Sequence, residues 1–392
     1  VKVLRRLALA FLLPLALASS AFGLEVLVCD EGGEVVLGFS PSSLLPLRDL
    51  AGLWGLGVSL SPDGRRAFVP PPLEVEVDLK ALQVRVGSSF AEGRASSRGG
   101  RIYLPARSLA SKLSPVRVGE ELFLTVRPCR GGGSAWEGRR SLNLFLVNKA
   151  FGLPRSFVPP DLASVEGRLR TNKPGMRLCR EALLALVDLF EAARAAGFDL
   201  VLVSAHRTWE LQSYLFEKEV ELNSRRGHPP SRARELASSL VAPPGRSEHQ
   251  LGLAVDVLSR GFLSRGLVGD FGRTLEGRWL RENAHRFGFV VRYPKDREQI
   301  TGFQHEPWHL RYVGEVHASA MREMGLCLEE YLELVERRGE LELRGPMGRR
   351  YRLLFLKGFG EASRVVLASD RFRLVEFYPD NRGNLLLLLE LI

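Results

Sequence analysis

The sequence predicts an α+β protein in three folded parts, and three observations carry that expectation. Residues 24–128 contain a repeat in which an extended stretch meets a proline and then a short helix. Residues 141–334 alternate amphipathic helices with short apolar strands. Residues 335–392 are strand-like between turn residues and read as a small β-rich module. The chain has 392 residues, more than one typical domain, and its 45% hydrophobic and 26% charged residues are ordinary for a folded protein.

Residues 1–23 read as a secretory signal. Lys2, Arg5 and Arg6 precede an apolar run over 7–18, and Ser19-Ser20-Ala21 supply a small-residue cleavage site. The run is shorter than the about 20 apolar residues of a spanning helix and carries Pro14. Cleavage near Ala21 or Gly23 is therefore expected over a retained anchor, and with it an exported, extracellular or wall-associated or membrane-associated protein. No later segment reads as a membrane span.

In the first part, residues 43–51 (SLLPLRDLA) are echoed by residues 102–110 (IYLPARSLA). Each copy places proline ahead of a short helix with leucine and alanine on one face. Between them, residues 73–79 (LEVEVDL) alternate apolar and acidic residues with the period of a strand. Residues 129–140, with Gly131-Gly132-Gly133-Ser134, read as a linker.

In the middle part, Leu183, Leu184, Leu186, Leu189 and Phe190 fall at helical spacing within 178–196, and Gly197 ends that helix. A buried strand over 198–203 runs into polar Ser204-Ala205-His206-Arg207. Further helices are expected over 211–223, 279–287, 316–324 and 328–334, and a strand over 289–293. Residues 223–237, rich in arginine and proline, read as a loop. In the last part strands are expected over 341–343, 351–356, 364–368, 372–377 and 385–392. The last of these opens with five consecutive leucines and must be buried or paired.

The net charge of +10 falls to +7 without the three basic residues of the signal. A basic exported protein is drawn to an anionic wall or membrane surface. The charge is dispersed, with no basic stripe and interleaved aromatics, so nucleic acid is not the expected partner. Export permits disulfides. The four cysteines bracket two parts, which favours pairing 29 with 129 and 179 with 327, against a reading of four free thiols. No CxxC occurs, which argues against a structural zinc knuckle.

Two clusters carry chemistry. Residues 244–256 read PGRSEHQLGLAVD and residues 301–312 read TGFQHEPWHLRY. A catalytic zinc takes three nitrogen or oxygen ligands and keeps one position open. His249 and Asp256 flank a short glycine-containing segment that can turn into a strand, and His309 supplies a third donor. Glu306, three residues earlier, stands where a base beside the metal is needed. The competing reading is that residues 305–309 (HEPWH) form HExxH, whose histidines share a helix face. Pro307 lies between them, a mid-helix proline costs about 3 kcal/mol, and that reading leaves His249 and Asp256 without a role.

The ordered set of Ser204, Arg207 and Gln212, then Ser-x-His-x-x-Gly-x-Ala-x-Asp over 247–256, then Glu-x-Trp-His over 306–309 resembles the VanY-like D-alanyl-D-alanine carboxypeptidases. These are zinc D,D-peptidases with a hedgehog-like fold. The resemblance covers about residues 140–325. It implies zinc on His249, Asp256 and His309, Glu306 as general base, and Arg207 orienting substrate or steadying the tetrahedral intermediate. Ser247 and Gln212 would line the substrate site, and the substrates would be peptidoglycan stem peptides. This chain has Ala205-His206 where the family usually shows Gly-Tyr, and Phe157 where tyrosine is more usual. Related cuts by L,D-carboxypeptidases, D-Ala-D-Ala dipeptidases or endopeptidases, and a non-catalytic wall-binding module, stay open at this level. Residues 24–128 resemble the repeat domain first named from the N-terminus of copper amine oxidases, which implies an accessory or wall-associating module. Oligomeric state is not legible.

Overall fold

A computed structural model of the chain describes residues 24–392 apart from 30–33, 37, 40–43, 53–55, 72, 99–100, 111, 113, 119–120, 126–134, 358–361 and 370. The signal reading of residues 1–23, the glycine-rich part of the linker and the pairing of Cys29 with Cys129 lie outside the described residues. Among the described residues no helix is long and apolar enough to cross a membrane. The chain divides into two compact units. One comprises residues 142–338 and 342–350, and the other the residues before Leu142 with 339–341 and 351–392.

In the second of these, the two repeat copies pair with each other. Strand Leu44–Pro46 runs antiparallel to Arg101–Pro105, with Leu45 opposite Leu104, and each proceeds into a helical turn, Leu47–Gly52 and Ala106–Leu109. A five-stranded meander spans residues 59–94. Its alternation puts Val75, Val77, Val84 and Val86 into the core. The C-terminal strands, expected as a separate module, are instead built into sheets with N-terminal ones. Strand Ala362–Ala368 lies parallel to Leu24–Cys29 and antiparallel to Ala135–Glu137, while Arg139–Arg140 pairs with Phe372–Pro379. The leucine-rich strand Leu385–Leu391 sits between Arg350–Leu356 and Phe372–Pro379. Leu385, Leu387 and Leu389 join the core, and Leu386 and Leu388 are also buried. Being covered on both faces explains why the run does not alternate.

The other unit holds the motif residues. Strands β1 (Leu162–Ser164) and β2 (Arg177–Cys179) form a hairpin ahead of helix α1 (Arg180–Ala195). Strand β3 (Leu200–Ser204) follows, then α2 (Trp209–Arg225), α3 (Pro230–Leu240) and β4 (Ala254–Ser259). Helix α4 (Leu275–Asn283), β5 (Phe289–Tyr293), β6 (Glu306–Tyr312), α5 (Glu315–Met324) and α6 (Leu328–Arg338) complete it. The sheet order is β3-β4-β6-β5, all antiparallel. Leu183, Leu186, Leu189, Phe190 and Ala193 of α1 pack into the core with Leu202, Val255, Val257 and Leu310 of the sheet. Every residue of β4 is buried.

Two further expectations fail. The segment read as a loop over 223–237 contains α3, because Pro230 occupies the first helical turn, where its missing N–H has no partner to lose. Cys179 and Cys327 are free thiols, not a disulfide. The Cys179 thiol donates to the Leu251 carbonyl at 3.4 Å, and the Cys327 amide donates to Glu330 at the start of α6.

Candidate active site

The three metal-donor candidates reach one point by two local devices. The first is the turn that carries His249. Residues Glu248–Leu251 form a 3-10 turn, and Gly252 closes it in the left-handed region at φ 68°. A Cβ on Gly252 would stand 2.9 Å from both Cys179 Sγ and Leu162 Cδ2, so only glycine fits both the backbone and the space. The chain then enters β4 and delivers Asp256. The second device is register: Asp256 is the partner of His309 across the β4–β6 ladder. His249, Asp256 and His309 offer one donor atom each within 4.8 Å of one another, and all are buried.

Hydrogen bonds orient two of the three: Ala205 holds His249, and Arg207 holds Asp256 through Oδ2. His249 Nδ1 donates to the Ala205 carbonyl at 2.7 Å, which fixes the tautomer and leaves Nε2 with its lone pair, 3.3 Å from Asp256 Oδ2. His309 turns the other way: Nδ1 is 3.2 Å from Asp256 Oδ1, and Nε2 faces Glu248 Oε2 at 3.9 Å. Buried His249 Nε2 and Asp256 Oδ1 have no hydrogen-bond partner. Two orphaned buried donor atoms and a third beside them fit a cation with nitrogen and oxygen ligands.

Glu306 opens β6, opposite Tyr293, and its Oε2 lies 3.6 Å from His309 Nδ1. Burial pushes its carboxyl up to about 7, against the opposing pull of His309. Burial also lowers His309, but Asp256 and Glu248 outweigh that and raise it to about 9. Burial together with Arg207 holds His249 down at about 4. Asp256 stays well below the usual carboxylate range although burial opposes it, because His249, His309 and Arg207 surround it.

Arg207 is fixed on three sides: Nε to Ser204 Oγ at 2.9 Å, Nη1 to Gln212 Oε1 at 3.0 Å and Nη2 to Asp256 Oδ2 at 2.8 Å. Gln212 is buried, and its amide nitrogen donates to the Ala242 carbonyl at 2.7 Å. It stands behind Arg207 as its holder. Ser247 is buried at the head of the His249 turn. His305 is outside the donor cluster and its Nδ1 bonds the Tyr293 carbonyl at 3.0 Å. Since residues 306–312 form a strand, the HExxH reading has no helix on which to stand.

One buried acid of this site carries no role in the sequence reading. Glu248 Oε1 accepts from Arg292 Nε at 2.9 Å and from Arg311 Nη1 at 2.7 Å. Those arginines lie 44 and 63 residues away in sequence. An acid beside a candidate ligand is the one local signal, and it names no partner.

The family model for VanY, D-alanyl-D-alanine carboxypeptidase, matches residues 175–315. The chain is 41% identical over 198 residues to the putative carboxypeptidase YodJ of Bacillus subtilis (strain 168), covering 50% of this chain and 68% of that protein. It is 37% identical over 229 residues to a D-alanyl-D-alanine carboxypeptidase of Enterococcus faecalis (strain ATCC 700802 / V583), covering 58% of this chain and 78% of that protein. Among solved structures, the vancomycin-resistance D,D-dipeptidase VanXYg in complex with a D-Ala-D-Ala phosphinate analogue matches at a TM-score of 0.53 with 26% identity. That alignment covers 64% of this chain and 94% of that one.

Proposed function

Because the chain belongs to the VanY D-alanyl-D-alanine carboxypeptidase family, we infer that it is a zinc peptidase that removes the terminal D-alanine of peptidoglycan stem peptides. The observation that carries this reading is the convergence of His249, Asp256 and His309 with the Glu306 carboxylate beside them. The donor set of two imidazoles and one carboxylate suits zinc and leaves a position for water.

When bound, zinc lowers the pKa of water to about 7 and polarises the scissile carbonyl. The protein's own groups do the rest. Glu306, poised near neutrality by burial, takes a proton from the attacking water on its carboxylate and returns it to the leaving D-alanine nitrogen. Arg207, unable to swing because three partners hold it, supplies a fixed positive charge to the oxyanion or the terminal carboxylate. Gln212 serves by holding Arg207, and Ser247 lines the substrate side of the His249 turn. An exported, wall-associated location fits such a substrate. The described residues of 24–128 contribute no donor to the metal cluster, which is in keeping with an accessory role.

The test is to incubate the purified protein and zinc with tri-, tetra- and pentapeptide stems and weigh the products. Loss of one D-alanine from the pentapeptide supports the assignment. Release of a dipeptide, trimming of the tetrapeptide alone or cutting of cross-bridges would move it to a dipeptidase, an L,D-carboxypeptidase or an endopeptidase. Binding without cleavage would make the fold a wall-binding module.

A further inference from the structure

We propose that Glu248 is a positioning residue for the metal site: it fixes the His309 ring by accepting from Nε2–H, so that Nδ1 faces the metal. This inference rests on the zinc reading above.

Three observations carry it. Glu248 Oε2 and His309 Nε2 are both buried, both lack any hydrogen-bond partner, and face each other at 3.9 Å. An unpaired acceptor and donor at that separation need a shift of only about 1 Å to make a charge-assisted hydrogen bond of ordinary length. On the other side of the carboxylate, Oε1 takes both Arg292 and Arg311. These arginines are in turn anchored. Arg292 makes a bidentate pair with Glu329 of α6 at 2.8 and 2.6 Å. Arg311 Nη2 donates to the carbonyls of Leu142, Asn143 and Phe145. The carboxylate is therefore clamped in orientation, with Oε2 left for His309. A carboxylate on the far nitrogen of a ligating histidine sets its tautomer and raises its basicity, and loss of such a partner typically weakens metal binding about 10- to 100-fold.

A purely structural reading, in which Glu248 only neutralises two buried arginines, makes a different forecast. Glu248→Gln keeps the shape but has one acceptor oxygen. The arginines demand that oxygen, so the amide NH2 turns toward His309 and disfavours Nε2–H. Glu329→Gln also removes a partner from Arg292 but leaves His309 untouched. The experiment uses the full chain, labelled with 15N, and reads zinc affinity by chelator competition together with the imidazole nitrogens of the zinc-loaded protein.

We expect an exchange-protected proton on His309 Nε2 in the unaltered protein. Zinc should bind about 10- to 100-fold more weakly to Glu248→Gln, while Glu329→Gln unfolds earlier yet keeps its affinity. A folded Glu248→Gln protein with unchanged affinity overturns the proposal, as does equal weakening by Glu329→Gln. Should Glu248→Gln fail to fold, the spectrum of the unaltered protein decides: an unprotonated Nε2 on His309 overturns the proposal, and a protected proton there upholds it. An unaltered protein that binds no zinc refutes the functional reading itself, and this inference with it.

Discussion

Asp256 and His309 are direct partners across the β4–β6 ladder, and their side chains meet with Oδ1 and Nδ1 3.2 Å apart. A donor pair set by strand register is hard to displace, because a slip of one strand by one residue sends its side chain to the opposite face of the sheet, away from its partner. Only His249 depends on a turn, and that turn is closed by Gly252.

The ligand set makes the first prediction. His249→Ala and Asp256→Ala should each sharply cut bound zinc, while His305→Ala, whose ring serves the Tyr293 carbonyl, should leave zinc near one per chain. Metal analysis after dialysis checks this. Zinc lost with His305→Ala and kept with Asp256→Ala would restore the HExxH assignment.

Glu306→Gln keeps the shape of the side chain but not its proton affinity. We expect kcat to fall by about 10²–10⁴-fold, with zinc content little changed because the three donors remain. The carboxyl lies at about 7 in the metal-free chain, and a neighbouring dication favours its ionised form. The acid limb of kcat/KM should therefore sit at or below about 7 and vanish in the variant. Near-normal turnover with full zinc would mean another group is the base.

Zinc binding should itself depend on pH. The proton on His309 is held up to about 9 in the metal-free chain, against an ordinary value of 6.5, and zinc takes only the neutral ring. From about pH 7 to 9 the metal must displace that proton, so affinity should climb about tenfold per pH unit and level off above. The raised value also stabilises the metal-free fold, fully below pH 6.5 and progressively less as pH rises through 9. Chelator competition across this range, with proton release measured in paired buffers, reads both. A flat affinity over these two units would show that His309 is already neutral in the free protein.

Gly252→Ala should be among the harsher single changes. It places a Cβ at positive φ and 2.9 Å from Cys179 Sγ and Leu162 Cδ2. A loss of about 1–3 kcal/mol in unfolding free energy is expected from the backbone alone, with weaker zinc because the His249 turn shifts. Gly197→Ala, at positive φ with nothing within 4 Å of its Cβ, should share the backbone loss and spare the zinc.

Strand pairing predicts how the chain tolerates trimming. Removing residues 24–141 alone leaves strand Ala362–Ala368 without the partners Leu24–Cys29 and Ala135–Glu137, an open edge that invites aggregation. A chain of residues 142–338, whose core is its own, should stay soluble, bind zinc and turn over a soluble pentapeptide. Light scattering and zinc content of the two trimmed chains compare them directly, and equal behaviour would deny the pairing its role.

By itself, the sequence determined what chemistry can be written locally. Ser-x-His-x-x-Gly-x-Ala-x-Asp, Glu-x-Trp-His and the arginine after the 198–203 strand stand close to the donors they concern, so residue type and short spacing suffice to nominate them. Helix α1 and the five-leucine strand were legible for the same reason: periodicity is a property of neighbours in the chain. Tertiary structure alone decided everything that joins distant residues. Glu248 looks like any acid in a turn until Arg292 and Arg311 converge on one of its oxygens. Gln212 names no protein partner in the sequence, and only the fold shows its amide joining Arg207 to the Ala242 carbonyl. Cys179 and Cys327 suggest a bridge until the fold leaves both thiols free. The strands after residue 339 suggest a separate module until they pair with residues 24–29 and 135–140. In each case the deciding energy is a long-range contact between groups whose identities are compatible with many partners, and only the closed packing of the fold selects one.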